Sequence, residues 1–537
     1  MLEQLEVPIV FGLPGVHNLA IWKALAESDV RLVGVRHEQA AVYAADGYAR
    51  ATGKLGVALV TTGPGAANTL GATGEAMASH SPVLVVATDI PSTLRRDGVY
   101  RGVLHETRDQ AAMFAPVTRT TRVVRAADEI GDAIHFGALT AIGPESGPVY
   151  VGVPTDLLST PAPVPIRSAL AGVSRTGALA DVGQAAQLLM QASRPLIWSG
   201  GGAARSGAGP LIGELAARLA APVITTYLGR GIVPPEHPCF VPGPVHVREV
   251  GALWDEADVV LAIGTDFDGM MTQNWLMPKP ATLISINLDP RDANKNYAAD
   301  LTLGGNAPDV LGRLLPLVSA RREPGELSRR LGSIAAEVRA SIEADEPQAL
   351  AFLDSMEHVL PRETIVVADM CIPGYWLAGY RHVPEPGKLQ YPMGWGTLGF
   401  GFPASLGAAL ARRGPVVCVS GDGGFLFACG ELATVAQEQI PVTIVLVDDG
   451  GYGMLRFDQA RAGDAPFGVD LVGPDFVALA GAFGIPATAL DGFGPEFDAA
   501  LASAVASQAP HMIVVRAALK PPPTTSPRWY RRPDVSE

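Results

Sequence analysis

Cysteine is scarce: only Cys239, Cys371, Cys418 and Cys429 stand among 537 residues, and no two form a CxxC pair. Neither a zinc site nor a disulfide framework is indicated, and the four read as small core residues. Charge is scarce too, at 18% of residues, with 40 Lys and Arg against 54 Asp and Glu and a net charge of -14. That balance argues against a nucleic-acid or acidic-membrane partner and favours small-molecule chemistry. Apolar runs fall short of the about 18 residues of a membrane helix, and the opening "MLEQLEVPIVFG" has neither a basic n-region nor a long apolar h-region. A cytoplasmic protein is expected.

What is abundant is apolar and turn-forming: 48% hydrophobic residues, 60 Gly and 45 Pro, the composition of a globular enzyme with many tight turns. The length suggests roughly three domains. Short β-branched runs such as "LGVALVTT", "SPVLVVATD", "ADVVLAIG", "PVVCVSGDG" and "PVTIVLVDD" alternate with Ala-rich helical stretches. Nearly continuous apolar strands alternating with helices imply an α/β chain of doubly wound parallel sheets. Two seams, residues 159–177 and 319–330, divide it. Domains are expected over 1–160, 178–318 and 340–520, with a Pro-rich tail over 521–537 that lies extended on the surface or stays unfolded. The start offers only a stub of helix before the first strand, as though a turn or two were missing.

In such sheets ligands bind beyond the carboxyl ends of the strands. "VVCVSGDGGFLFACGELATV" places Asp422 at one strand end, between glycines, and "TIVLVDDGGYGML" places Asp448 and Asp449 at the next. The 27 residues from Asp422 to Asp449 allow one crossover helix and a return strand, so the two carboxylates can sit side by side. Mg²⁺ takes oxygen ligands and bridges carboxylates to phosphates, while Gly421, Gly423 and Gly424 would let backbone N–H groups approach those phosphates. One such aspartate alone would read as a helix cap. Two at crossover spacing favour a metal and diphosphate site.

Glu38, in "LVGVRHEQAAVYAADGYARATGK", stands at a strand-to-helix junction and is expected to be partly buried; the plainer reading is a helix-dipole charge. "TTGPGAANT" supplies Gly63, Pro64, Gly65 and Asn68, and "YPMGWGTLGFGFPASLGAAL" sets Leu398 among glycines that include Gly396. "ADMCIPGYW" puts Cys371 and Ile372 beyond another strand. "GLPGVHN" carries Val16 and His17, "YRGVLHETRDQ" carries His105 and Glu106, and "GYGMLRFDQ" carries Arg456 and Asp458. A loop histidine can move protons on a substrate, although a lone one is more often structural.

"GDGG", the spacing, "GGYG" and "RHEQAA...ADGYARATG" together resemble, over essentially the whole chain, the thiamine-diphosphate-dependent enzymes of the acetolactate synthase, pyruvate decarboxylase and benzoylformate decarboxylase superfamily. The resemblance implies pyrimidine-binding, central and diphosphate-binding domains. It implies thiamine diphosphate with Mg²⁺ held by Asp422, Asp449 and the carbonyl of Gly451, and Tyr452, Gly453 and Met454 beside them. The family pattern has Asn-Asn where Asp448 and Asp449 stand, so tighter dependence on the divalent ion, or a proton shared between the acids, is expected. Glu38 is implied to bond a pyrimidine nitrogen and favour the imino tautomer that takes the C2 proton. The resulting ylide adds to a 2-oxo acid, CO₂ leaves, and the enamine is protonated or captured.

Further residues follow by the same resemblance. The turn at 63–68 packs on the pyrimidine, Leu398 props the cofactor bent, backbone groups near Gly396 and Leu398 bond the pyrimidine, and Cys371 and Ile372 touch the diphosphate. Glu38 and the metal meet across subunits, implying a homodimer or homotetramer. Acetolactate synthases show Phe-Gln-Glu where this chain has Leu104, His105 and Glu106, and a tryptophan where it has Asp458, which counts against a true acetolactate synthase. Arg456 could pair with a substrate carboxylate and Asp458 with a cationic end, as in relatives acting on guanidino 2-oxo acids; equally, the two could pair with each other. The expected activity is a lyase or transferase, decarboxylase or carboligase, with an acetolactate synthase-like enzyme as the alternative. An FAD- or NAD-dependent oxidoreductase using the central "SGGGAARSGAG" is the alternative of another class, and FAD in that domain stays open.

Overall fold

The computed structural model describes residues 1–96, 98–163, 182–320 and 324–523. Most of the first seam, part of the second and most of the Pro-rich tail lie outside the described residues. Strands β1 (Ile9–Gly12), β2 (Arg31–Gly34), β3 (Gly56–Val60), β4 (Val83–Asp89), β5 (Thr120–Val123) and β6 (Val149–Pro154) make a first sheet in the order 2-1-3-4-6-5. Strands β7 (Pro195–Ser199), β8 (Val223–Thr225), β9 (Val259–Ile263), β10 (Thr282–Asn287) and β11 (Leu301–Gly304) make a second, in the order 11-10-9-7-8. Strands β12 (Ile365–Ala368), β13 (Leu389–Gln390), β14 (Val416–Gly421), β15 (Val442–Asp448), β16 (Ala487–Asp491) and β17 (His511–Arg516) make a third, in the order 13-12-14-15-17-16.

The described strand registers are parallel, as in β4 with β6 and β14 with β15. The expected α/β class of three parallel sheets is what the chain forms. The first and third sheets share one winding order, so each has a switch point between its first and third strands in sequence, where the chain leaves one direction for the other. Every residue of β3, β4 and β6 is buried, the burial that a continuous apolar run requires when helices cover both faces.

The described chain falls into two compact units, one holding the first and third sheets and the other the second sheet. In the first unit, helix Glu38–Thr52 crosses helix Gly401–Leu410 backbone to backbone. A Cβ on Gly47 would sit 1.9 Å from the Ala404 carbonyl oxygen, and one on Gly407 would sit 1.7 Å from that of Ala44. Arg50, on the same helix, donates to both carboxylate oxygens of Asp46, to Glu75 and to the Tyr391 carbonyl, and lies 4.8 Å from the centre of the Phe400 ring. Glu75 in turn accepts from the backbone N–H of Gly394 and Trp395. The acid is buried but fully paired, and it fixes the loop that leads to Leu398.

In the second unit the turn after β7 is filled by protein. A Cβ on Gly200 would meet the Gly264 carbonyl oxygen at 2.3 Å, so this glycine serves close packing of the turns after β7 and β9. Helix Gly325–Asp345 opens inside the second seam, which was expected to break helices, and runs through residue 340. Among the described residues no helix is long and apolar enough to cross a membrane.

Candidate active site

Gly421 of β14 lies beside Val447 of β15, so Asp422 and the Asp448–Asp449 pair follow adjacent parallel strands. Helix Leu432–Glu438 occupies the crossover between them. Asp422 opens the short helix Asp422–Phe425 and is 1% exposed. Its Oδ2, and Oδ1 of Asp449, are buried without a hydrogen-bond partner. Burial, then the charge of Asp449, pushes the Asp422 carboxyl up to about 6. Burial also raises Asp449, which hydrogen bonds to Asp422 and is eased by Arg456. Two buried acids in contact hold a proton between them unless a cation takes its place.

The loop beyond is built to close on that pair. Gly450 and Gly451 have φ of +77° and +153°, and Gly451 bridges to Asp470. A Cβ on Gly423 would lie 2.8 Å from the Tyr452 ring and 3.3 Å from the Gly451 carbonyl oxygen; one on Gly453 would strike Asp449 Oδ2 at 2.0 Å and Ile372 Cδ1 at 3.3 Å. Cys371 Cβ lies 3.2 Å from where a Gly421 side chain would begin. The structure therefore gathers Cys371, Ile372, Gly421, Asp422, Gly423, Asp449, Gly451, Tyr452 and Gly453 in one place, with Gly424 and Met454 on the two helix starts.

Arg456 is spoken for. Its Nε donates to Asp470 at 2.8 Å, and its other nitrogens donate to the carbonyls of Asp449 and Gly450 at 3.2 Å. It braces the Asp449–Gly451 loop; its described acidic partner is Asp470, and Asp458 stands exposed farther along the helix.

Sequence reasoning passed over Asp369, beyond β12. It is fully buried and accepts from the N–H groups of Met370 and Gly399 and the hydroxyl of Ser420. Burial pushes its carboxyl up to about 6. It joins the Gly396–Gly399 turn, where both glycines have positive φ, to the end of β14. Leu398 is half-buried in that turn.

In the first domain Glu38 is 8% exposed at the start of its helix, with His37 as the cap. Its Oε2 accepts from Asn68 at 2.9 Å, while Oε1 lies 3.3 Å from where a Gly65 side chain would begin. A glycine there keeps the space beside the carboxylate open. The Gly63 N–H donates to Gln110 at 2.7 Å, and Gln110 also bonds the Thr88 carbonyl and the Tyr150 hydroxyl. Gln110 is a second residue that sequence reasoning missed, since its glycine partner stands 47 residues away.

The His105 carbonyl oxygen lies 2.5 Å from a Cβ built on Gly63, and His105 itself has φ of +67°. The rings of His17 and His105 meet edge to face at 5.2 Å, and the Nδ1 of each is buried without a partner. Burial, then His105, lowers His17. Glu106 turns back on its own loop and accepts from the N–H groups of Arg101 and Val103, which hold its carboxyl below the usual range. Val16 and Leu104 point to solvent.

The donor set suits a hard divalent cation: two orphaned carboxylate oxygens, a backbone carbonyl, and glycines that leave room for phosphate oxygens. The comparisons bear on the cofactor rather than on the metal. Residues 1–113 match "Thiamine pyrophosphate enzyme, N-terminal TPP binding domain", residues 182–314 match the central domain of the same enzymes, and residues 370–515 match their C-terminal TPP binding domain. A Pseudomonas aeruginosa protein described as "Probable 2-ketoarginine decarboxylase AruI" is 35% identical over 90% of this chain and 87% of its own length. A Methanocaldococcus jannaschii "Probable acetolactate synthase large subunit" is 32% identical over 95% of this chain and 90% of its own. The structure of the Rhodococcus jostii thiamine diphosphate-dependent 4-hydroxybenzoylformate decarboxylase superposes with a TM-score of 0.80 at 26% identity, covering 97% of this chain and 98% of that one.

Proposed function

The chain belongs to the thiamine pyrophosphate enzyme family, and on that premise we propose that it is a Mg²⁺-dependent decarboxylase of a 2-oxo acid. The observation that carries the reading is the Asp422–Asp449 pair, two buried acids at adjacent strand ends that each keep one carboxylate oxygen without a hydrogen-bond partner. Asp422, Asp449 and the Gly451 carbonyl would hold the cation, and the amides around Gly421–Gly424 would take the diphosphate. When bound, thiamine diphosphate supplies the carbon nucleophile and the electron sink for loss of CO₂.

The chain's own residues do the rest. Glu38 would bond the pyrimidine ring, with Asn68 fixing the carboxylate from one side and Gly65 leaving the other side open. Gln110 holds the Gly63 turn at its height. Leu398 sits on a turn pinned by Asp369 and props the cofactor. His17 and His105 each keep an unpartnered ring nitrogen and serve to move protons at the substrate. Glu106 shapes the His105 loop, and Arg456 stiffens the metal loop. Val16 and Leu104 beside the histidines, Trp395 against Gly74, Phe427 against Gly399 and Leu455 just after the metal loop are large exposed apolar side chains. They support a homodimer or homotetramer whose sites form between subunits.

Decarboxylation is favoured over acetohydroxyacid formation because Asp458 replaces the tryptophan expected of acetolactate synthases. The test is a titration of the protein with thiamine diphosphate and Mg²⁺, then a panel of 2-oxo acids that includes a guanidino one, with CO₂ release followed. Absence of binding, or full activity in Glu38→Gln, would sink the reading.

A further inference from the structure

Glu431 is an acid with no place in the chemistry above, yet it is 1% exposed. It closes the short turn Cys429–Glu431, nine residues after Asp422, on the element that leads from the metal motif into the crossover helix. Its Oε1 accepts from the backbone N–H of Arg36 at 2.9 Å and of His37 at 3.0 Å, and its Oε2 accepts from the Thr434 hydroxyl at 2.6 Å. Those two amides belong to the first domain and immediately precede Glu38. Arg36 clamps the same turn from its other side, donating to the Gly34 carbonyl at 2.9 Å and to Gln437 at 2.8 Å.

The amides of Arg36 and His37 lie just ahead of the helix start, where N–H groups have no partner within the helix. A water or a local side chain normally satisfies such groups. Here the third domain sends a buried carboxylate across some four hundred residues of sequence to do it. Burying an acid is costly, and burial does raise this one, so the three hydrogen bonds must offset the loss. The residue that gains a fixed position from them is Glu38, whose backbone begins one bond later.

We propose that Glu431 is a positioning residue for Glu38: it holds the Arg36–His37 turn so that the Glu38 carboxylate keeps its place beside Asn68 and Gly65. Because Glu431 follows Asp422 by nine residues, the metal motif of a chain is tied to the catalytic acid of the same chain. The proposal rests on the reading of Glu38 as the acid that activates thiamine diphosphate.

The full-length protein, loaded with thiamine diphosphate and Mg²⁺, tests it through the rate at which the bound cofactor exchanges its C2 proton with deuterated solvent. Wild type against Glu38→Gln comes first; equal rates there would remove the underlying reading and this proposal with it. Glu431→Asp draws the carboxylate back by one methylene. It is expected to slow C2 exchange and kcat by about ten- to a hundredfold, as misplacing a catalytic group does, and to unprotect the Arg36 and His37 amides in the cofactor-free protein. Cofactor affinity should be unchanged. Glu431→Gln, which still accepts from both amides, should restore exchange and protection. Thr434→Val gives the same readings in a chain that keeps Glu431. Wild-type C2 exchange with those amides unprotected would overturn the assignment. So would amides that stay protected in Glu431→Asp, or a slowing that merely follows lost affinity or a lower melting temperature.

Discussion

At the scale of the residue, the proposed metal site is a problem in charge. Asp422 and Asp449 share a buried space, with Asp448 adding to the repulsion and the Arg456 guanidinium easing it. Asp422→Ala should weaken Mg²⁺-dependent cofactor binding by more than about a hundredfold, since even outer-shell partners of a metal are worth up to about that much; calorimetry reads it directly. Asp449→Asn should keep binding, because an amide oxygen can replace the carboxylate, and should raise the melting temperature of the metal-free protein at pH 8 by removing a like charge. Asp369 offers a test without metal. Its folded carboxyl titrates at about 6 against an ordinary 3.8. The folded state therefore holds that proton more tightly, and stability falls as pH rises from about 4 to 6, by up to about 3 kcal/mol. In Asp369→Asn, thermal melts should lose that part of their slope; an unchanged slope would show that the group does not ionise there. Asp422 and Asp449 were legible in the sequence because each stands in its own strand-turn-helix pattern and the pattern occurs twice at crossover distance. Asp369, Gln110 and Glu431 were not, because their partners come from other elements: a carboxylate that grips amides in another domain leaves no local periodicity.

At the scale of the element, the strands were readable as apolar runs, and their parallel pairing followed from their alternation with helices. What composition could not disclose was which glycines are there for a ligand and which for a neighbouring backbone. The glycines of the central domain look like a nucleotide turn in sequence, yet Gly200 is consumed by the Gly264 carbonyl. Gly47 and Gly407 sit within stretches that read as ordinary Ala-rich helices, yet they let two helix axes meet. Gly47→Ala or Gly407→Ala should cost at least about 3 kcal/mol, the upper end for overpacking, because the obstacle is a carbonyl rather than a movable side chain. Gly34→Ala, where an added methyl meets nothing within 4 Å, should be close to neutral. Chemical denaturation of the three variants separates these cases.

At the scale of the whole molecule, the proposed assembly makes a sharp demand. If Glu38 of one subunit serves the cation bound by Asp422 of its partner, then Glu38→Gln and Asp422→Ala are each inactive alone. Co-expressed, they should recover about a quarter of wild-type activity, since half of randomly paired dimers carry one intact site of two. No recovery would place both residues in a single chain's site. The helix crossing at Gly47 and Gly407 has a temporal consequence as well. The two helices lie roughly 350 residues apart in the chain, and residues 174–362 between them belong to the other compact unit. A ribosome making this protein releases helix Glu38–Thr52 long before its counterpart exists, with the face at Ala44 and Gly47 waiting unpaired. Loop closure over that distance comes late and slowly. The crossing thus works as a completion check during synthesis: a chain that stops before Gly401 has nothing against which to seat the helix that Glu38 opens.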